Sequence, residues 1–268
     1  MFDLLLDGDV AVRLSIFIAV FAVFGVWELI APRRKVTSPK SVRWLNHLSI
    51  SAINVLVTRL LIPSTLIAVA FGAEWNSIGL LNVIELPVVV SIIIALLLLD
   101  LAIYIQHILF HKVHLLWRLH RMHHADLDFD VTTGIRFHPV EIVFSLGIKM
   151  FVVLAIGAPF IAVFIFEVLL NATSLFNHAN IRIPKNIDKV LRVFIVTPDM
   201  HRVHHSIIRE ETDSNFGFNV PWWDYIFKTY CAQPKAGHIG MTIGIDSFRK
   251  QRELWLDRLL LQPFRKTD

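Results

Sequence analysis

Four long apolar runs occupy most of the first two thirds of the chain, with short polar segments between them. They cover residues 10–32, 47–72, 78–110 and 139–176. A helix crosses a bilayer with about 20 apolar residues, and each of the first three runs reaches that length. The pattern therefore predicts three membrane-spanning helices, the third of them longer than a bilayer requires.

The fourth run is interrupted near its middle by Gly157, Ala158 and Pro159. Proline disfavours the helical conformation at the residue before it, so this run predicts a helical hairpin. Each half holds about 18 residues, which at 1.5 Å per residue is marginal for a full span, and the hairpin is therefore expected to be re-entrant. The chain is more polar after Asn180, and residues 185–268 predict helices and loops at the membrane surface.

The polar positions near the end of the third run follow a helical repeat. Asp100, Tyr104, His107 and His111 are spaced by four, three and four residues, which places them on one face of a helix. A charged residue inside a membrane span indicates a functional site. We expect Asp100 to accept a hydrogen bond from the ring of a metal-ligating histidine. The alternative is a lone carboxylate at a helix end.

Ten of the thirteen histidines fall into one pattern: H-x3-H, two copies of H-x2-H-H, and two single residues. Adjacent rings on a helix diverge by about 100° and can serve different ions. Neutral imidazole is the commonest protein metal ligand, and ten ligands are too many for one ion. The pattern predicts a metal centre with more than one ion, and its ligands are His107, His111, His120, His123, His124, His138, His178, His201, His204 and His205.

The two single histidines are weaker predictions than the clustered ones. His138 precedes Pro139 and should lie at a helix N-terminus, where the helix dipole keeps its ring neutral. A histidine in that position is more often a cap or a core residue than a ligand. The remaining three, His47, His114 and His238, fit no pattern, and we expect no ligand role for them.

Composition supports an integral membrane protein. Hydrophobic residues make up 55% of the 268 residues, charged residues 18%, and the mean hydropathy is +0.59; soluble domains are less apolar and more charged. The net charge of +4 is small, and the basic residues flank apolar runs, which favours lipid over nucleic acid as a partner. One cysteine, Cys231, excludes an internal disulfide and a cysteine-rich metal site.

Basic segments predict the orientation of the spans. Residues 33–43, 112–121 and 182–192 are rich in Lys and Arg, whereas the other flanks carry Asp3, Asp7, Asp9 and Glu74. Because positive loops stay in the cytoplasm, we expect the N-terminus outside and all histidine clusters on the cytoplasmic side. The membrane would be a bacterial inner membrane or the endoplasmic reticulum.

The chain resembles the fatty acid hydroxylase and sterol desaturase superfamily of membrane di-iron enzymes. Besides the histidine patterns, the similarity lies in Thr133-Gly134-x-Arg136-x-His138-Pro139-x-Glu141, Asn177-His178, Thr197-Pro198-x2-His201, Asn215-Phe216-Gly217 and Trp223-Asp224-x2-Phe227-x-Thr229-Tyr230. It spans about residues 95–230. It implies transmembrane helices in 1–95, a di-iron domain in 96–235 and a cytoplasmic tail in 236–268.

The resemblance implies an all-α membrane enzyme that hydroxylates or desaturates a membrane lipid with dioxygen and two iron ions. The ten patterned histidines would be the ligands, Asp100 and Glu141 their hydrogen-bond partners, and Arg136 and Asn177 weaker candidates for orienting ligands or substrate. The chain has no dinucleotide-binding motif and no cysteine ligand set. A separate electron donor is therefore implied, which could be a reductase, a cytochrome or a ferredoxin.

Two other functions remain open. A membrane metal-binding or transport protein also needs histidines, although it would favour polar residues along several spans. A haem electron-transfer protein needs only paired axial histidines on facing helices. Imidazole ligands hold iron, zinc or copper, so iron is inferred from the family and from the chemistry of an unactivated C–H bond. Hydroxylation and desaturation share the first hydrogen abstraction and are not distinguished by the ligands.

Overall fold

The computed structural model describes residues 2–62 and 64–266, with side chains described from Ala11 onward. The predicted acidic flank formed by Asp3, Asp7 and Asp9 lies outside the described side chains. The α-helices in this part of the chain are α1 Phe2–Ile30, α2 Lys40–Leu61, α3 Leu66–Trp75, α4 Leu80–Val83, α5 Val88–Lys112, α6 His114–His124, α7 Pro139–Ile156, α8 Phe160–His178, α9 Lys185–Leu191, α10 Pro198–His204, α11 Arg209–Thr212, α12 Trp222–Ile226, α13 Gly237–Gly240 and α14 Leu256–Leu261.

The all-helical membrane architecture agrees with the prediction. Three short 3-10 helices, Val131–Ile135, Gln251–Leu254 and Gln262–Phe264, complete the regular elements of the described residues. Five segments are long and apolar enough to cross a membrane: Ala11–Ile30, Lys40–Val83, Val88–Lys112, Pro139–Ile156 and Phe160–His178. The last two are the arms of the predicted hairpin, and the helix stops at the predicted interruption.

Two glycines build the tip of this hairpin. Gly157 ends α7 in the left-handed conformation with a φ of 67°, which glycine adopts without steric cost. Gly79 packs against it, and a Cβ atom on Gly79 would lie 2.2 Å from the Gly157 nitrogen. The close backbone approach ties the segment before α5 to the hairpin.

The second apolar run does not form the single helix predicted for residues 47–72. α2 ends at Leu61, and Ile62 is non-helical with φ −133° and ψ 82°, because it precedes the proline at position 63. α3 starts afresh after Thr65, whose hydroxyl accepts from the Ala68 nitrogen at 3.1 Å. The third run is also shorter as a helix than predicted, since α5 begins only after Pro87.

α5 lies at the centre of the membrane bundle. It packs against α7 and α8, and α3 packs against the same two helices. Leu99 and Ile103 of α5 share a buried apolar core with Val153 of α7 and Phe166 of α8. α1 packs along α8 and α2 along α7, so these two outer helices complete the wall of a cavity. The C-terminal ends of α5 and α8 and the N-terminal end of α7 meet α6 and α10 at one end of the bundle.

The C-terminal residues predicted as a tail pack onto this end. Leu259 of α14 is fully buried against Ile50 and Met122. Arg121 of α6 donates to the main-chain oxygens of Gln262 at 2.7 Å and Arg265 at 2.6 Å. The segment therefore covers α6, which carries three of the predicted metal ligands.

Candidate metal centre

Nine of the ten predicted ligands gather in two buried groups. In each group one ligand atom per residue lies within 4.8 Å of all the others. We call them the first cluster and the second cluster. The first cluster consists of His107, His111, His120, His124 and His204. The second cluster consists of His123, His178, His201 and His205.

Helix geometry divides the rings between the clusters. His107 and His111 lie one turn apart on α5, and His120 and His124 do the same on α6, so each pair shares a face. Adjacent residues point in different directions, about 100° apart. His124 accordingly joins the first cluster while its neighbour His123 joins the second. His204 and His205 are divided in the same way at the end of α10.

The protonation of five rings follows from their outer partners. In each ring Nδ1 faces an oxygen that can only accept, so Nδ1 carries the proton and Nε2 keeps its lone pair. Glu141 is the acceptor for His120 at 2.6 Å. The other four acceptors are main-chain carbonyls: Phe216 for His107 at 2.9 Å, Arg136 for His123 at 3.2 Å, Ser174 for His178 at 2.7 Å and Ser214 for His204 at 2.7 Å.

The unprotonated Nε2 atoms lie so close together that a bound cation is needed to offset their repulsion. The Nε2 atoms of His123 and His178 are both unprotonated by this argument, and they lie 3.1 Å apart. Two lone pairs at that distance repel each other. Imidazole ligands bind an ion at about 2.1 Å, and at right angles this places two of them about 3 Å apart. The second cluster therefore fits a metal ion.

The remaining ring nitrogens support the same interpretation. His201 Nε2 lies 3.1 Å from His178 Nε2, and His124 Nε2 lies 3.1 Å from His111 Nε2 and 3.2 Å from His120 Nε2. Both nitrogens of His205 and the Nε2 atom of His204 are buried without a hydrogen-bond partner among the described residues. A buried polar atom without a hydrogen-bond partner or a bound ion costs free energy. Ligation of two ions would provide partners for these nitrogens.

Burial keeps these rings in the ligand form. Desolvation lowers the pKa of His204 to about 3 and holds the pKa of His123 and of His205 well below 6.5. The metal would therefore not compete with protons at neutral pH.

His138 lies apart from both clusters. Its Nδ1 atom accepts from the Val140 nitrogen at 3.2 Å, and its Nε2 atom lies 3.2 Å from the Leu260 oxygen. Both nitrogens are thus engaged in capping α7 and in holding the C-terminal segment. The structure brings nine of the ten predicted ligands together, and His138 takes the capping position that Pro139 also predicts.

Asp100 does not contact a histidine, which corrects the predicted hydrogen bond. It lies seven residues before His107 on α5, about 10 Å along the helix axis, which is too far for its carboxylate to reach the rings. Its oxygens instead accept from the Asn219 amide at 2.8 Å and from the Trp223 indole at 2.8 Å. Asp100 therefore fixes the segment that follows Phe216, the main-chain partner of His107.

Asp224 is a positioning residue for which sequence reasoning gave no role. Its carboxylate accepts from the nitrogens of Phe216 and Gly217, each at 2.8 Å, and burial raises its pKa to about 6. Phe216 in turn accepts from His107. The sequence similarity at 215–230 was the available signal, because it includes both ends of this contact.

The other predicted site residues surround the clusters in different ways. Glu141 contacts His120 directly, as stated above. Asn177 donates to the Phe218 oxygen at 2.6 Å and so helps to fix the same 216–219 segment. Arg136 offers its main-chain oxygen to His123, while its side chain pairs with Asp126 at 3.2 Å.

A buried ionic network around Arg136 escaped the sequence analysis. Arg43 of α2 forms a two-pronged pair with Asp126 at 2.9 and 2.7 Å and a second pair with Asp130. His47 lies beside them, 2.9 Å from Thr132 and 3.2 Å from the Arg136 guanidinium. This network joins α2 to the loop that follows α6. It also holds Arg136, whose main-chain oxygen orients His123 of the second cluster.

A cavity of about 790 Å³ leads from the clusters into the membrane bundle. His107, His120, His123 and His201 line one end of it. Its walls come from α1, α2, α5, α7 and α8, with Phe17, Leu48, Ile103, Leu146 and Leu170 among the lining residues, and from Phe218 in the segment before α12. The volume suits an elongated small molecule, and the apolar walls suit an alkyl chain.

Comparison with known proteins agrees with this geometry. The sequence profile described as Fatty acid hydroxylase matches residues 92–229. The chain belongs to the fatty acid hydroxylase family. The matched segment contains all nine clustered histidines, together with Asp100, Arg136, Glu141 and Asn177.

Relatives from this family are distant and longer. The ornithine lipid hydroxylase OlsE of Rhizobium tropici is 28% identical over 159 residues, which are 58% of this chain and 47% of the relative. Human alkylglycerol monooxygenase is 28% identical over 150 residues, 56% of this chain and 32% of the relative. The matches thus cover half or less of these relatives, and no solved structure matches the chain.

Proposed function

We propose that this chain is a membrane oxygenase that hydroxylates a lipid with dioxygen, two iron ions and two external electrons, with desaturation as the alternative outcome. The observation that carries the proposal is the pair of buried histidine clusters at the end of a cavity between membrane helices. Family membership supports it, and the printed names of the relatives describe a lipid hydroxylase and a monooxygenase.

The donor set suits iron, although imidazole also binds zinc and copper. A metal pair bound at the clusters would supply the activation of dioxygen that an unactivated C–H bond requires. The overall balance is one C–H bond and dioxygen, with two electrons and two protons, giving one alcohol and one water. The electrons would come from a separate donor, a reductase, a cytochrome or a ferredoxin.

The protein's own residues would position and shield the reaction. Phe110, Phe137 and Phe218 line the cavity beside the histidines and exclude water from the alkyl chain, which limits side reactions. Glu141 holds His120 through a charge-assisted hydrogen bond and fixes the orientation of its ring. Asp224 fixes the Phe216 carbonyl that orients His107.

We also propose the orientation. The clusters lie at the end of the bundle where the basic segments 33–43 and 112–121 meet the helices. By the positive-inside rule this end faces the cytoplasm and the N-terminus lies outside. A lipid would then enter the cavity from the bilayer, while electrons would arrive from the aqueous side.

Comparative lipid mass spectrometry tests the activity. Cells that express the chain should accumulate a lipid that gains one oxygen atom or loses two hydrogen atoms, and only in the presence of oxygen. His124→Ala should abolish the product because the ring belongs to the first cluster. His114→Ala is the matched control, since His114 is an exposed ring on the same helix.

Metal analysis tests the site independently. The purified protein should hold two metal ions per chain, and His124→Ala should hold fewer. Product that forms equally without oxygen, or a well-folded protein with one ion or none after loading with iron, would contradict the proposal.

A further inference from the structure

A charged group faces the cavity far from the metal clusters. Glu167 of α8 forms an ion pair with Arg13 of α1, and the Lys149 ammonium of α7 lies 3.7 Å from its other carboxylate oxygen. All three residues line the cavity. Their side chains are only 12–22% exposed. Arg13, Lys149 and Glu167 are called the charged group below.

The position of the charged group is unusual for a membrane helix bundle. Each of its residues lies within a segment long and apolar enough to cross the bilayer. Ionisable side chains are costly there, and when they face a cavity they indicate a binding site. The ion pair also ties α1 to α8. A purely structural pair would not require the third residue, Lys149, to line the cavity as well.

Lys149 is the residue of the charged group whose hydrogen-bond donors are available to a ligand. An ammonium has three N–H donors, and its 3.7 Å distance from Glu167 exceeds hydrogen-bonding range. The described residues provide no hydrogen-bond acceptor for it. The carboxylate it faces is already paired with Arg13, so an anion is the ligand that would complement Lys149.

The separation of Lys149 from Glu141 follows from α7. Lys149 lies eight residues after Glu141, the residue that contacts His120, and this corresponds to about 12 Å along the helix. With C–C bonds of about 1.5 Å, an extended alkyl chain rises about 1.25 Å per carbon, so a lipid acyl chain is long enough to span this separation. The cavity wall includes Ile103, Ile142 and Leu146, with the polar pair Gln106 and Ser145 beside them.

We propose that Lys149, held by Glu167 and Arg13, binds the anionic group of a lipid and thereby places a carbon further along its alkyl chain at the metal clusters. The substrate class is a lipid with a carboxylate or a phosphate at one end of an alkyl chain. This inference rests on the proposed function for its consequence, the position of oxidation, whereas the binding site itself can be tested without turnover.

Binding of a fluorescent fatty acid tests the site. Purified protein in phosphatidylcholine nanodiscs is titrated with cis-parinaric acid and with its methyl ester, which lacks the charge. The wild-type protein should bind the acid at least about tenfold more tightly than the ester, as expected for one charge-assisted hydrogen bond. Lys149→Met should remove this preference while the ester still binds, which also shows that the cavity is intact. Lys149→Arg should retain the preference.

Two competitors identify the anion. Displacement of the probe by palmitate but not by lysophosphatidate assigns a carboxylate, and the reverse assigns a phosphate. Equal binding of acid and ester by the wild-type protein, or undiminished acid preference in Lys149→Met, would overturn the proposal. If Lys149→Met loses the preference for the acid but the wild-type protein oxidises no lipid, the binding site is upheld and the proposed oxygenase function is rejected.

Discussion

Removal of the Glu141 carboxylate should weaken one metal site and leave the other intact. Its oxygen lies 2.6 Å from His120 Nδ1, and the two side chains are 7% and 5% exposed. His120 belongs to the first cluster. In the second cluster, His123 and His178 are oriented by main-chain carbonyls, which a substitution at 141 does not remove.

The expected magnitude follows from this contact. A buried hydrogen bond to a charged group contributes about 1.5–3 kcal/mol, and loss of such a partner of a ligand typically costs 10–100-fold in metal affinity. Glu141→Ala should therefore raise the metal dissociation constant of one of two sites by about 10–100-fold. Glu141→Gln keeps an acceptor without the charge and should show a smaller loss.

Chelator titration measures this effect, with metal content followed by mass spectrometry at each chelator concentration. The wild-type protein should lose two ions, whereas Glu141→Ala should lose one ion at a lower chelator concentration and the second at the wild-type concentration. Glu211→Ala is the matched control, because Glu211 is equally buried and accepts at 2.6 Å from a main-chain nitrogen rather than from a ring. Equal weakening of both sites, or of neither, would refute the reasoning.

Three further predictions follow from the site. His204→Ala should lower metal content and abolish turnover, whereas His138→Ala should keep both ions and cost about 1 kcal/mol of stability through the lost helix cap; a metal-depleted His138→Ala protein would contradict this. Burial lowers the pKa of His204 to about 3 and that of His123 well below 6.5, so below pH 6.5 the unfolded chain binds more protons than the folded one. The metal-free protein should then lose up to about 1.4 kcal/mol of stability per pH unit for each such ring, and a melting temperature that is constant from pH 7.5 to 5.5 would exclude it. Single cysteines at Lys35 and Lys266, in a chain without the native cysteine, should be labelled from the cytoplasmic side only, and labelling from opposite sides would reject the orientation.

Periodicity predicted most of the candidate site, because the ligands repeat at helical spacing. The spacing of His107 and His111, and the adjacency of His123 and His124, are sufficient to place the rings on defined helix faces. Spacing carries no information on distance from the clusters. Asp100 shares the face of His107, yet lies about two turns away from it along α5, which is too far for its carboxylate to reach the ring.

The supporting contacts were beyond the reach of sequence patterns, because they join distant segments. Arg43 and Asp126 are separated by 83 positions. The break between α2 and α3 could have been predicted from the proline at position 63, whereas an uninterrupted hydropathy pattern obscured it. The sequence allowed two interpretations of His138, a metal ligand or a helix cap, and in the folded protein it caps α7.

Four of the five acceptors that orient the rings are main-chain carbonyls, and this has a consequence for how the family can diverge. Every residue type offers the same main-chain carbonyl oxygen, so the hydrogen bonds that the rings make to residues 136, 174, 214 and 216 do not themselves depend on the side chains there. Substitutions around the site can therefore leave these four hydrogen bonds in place as long as they preserve the path of the backbone.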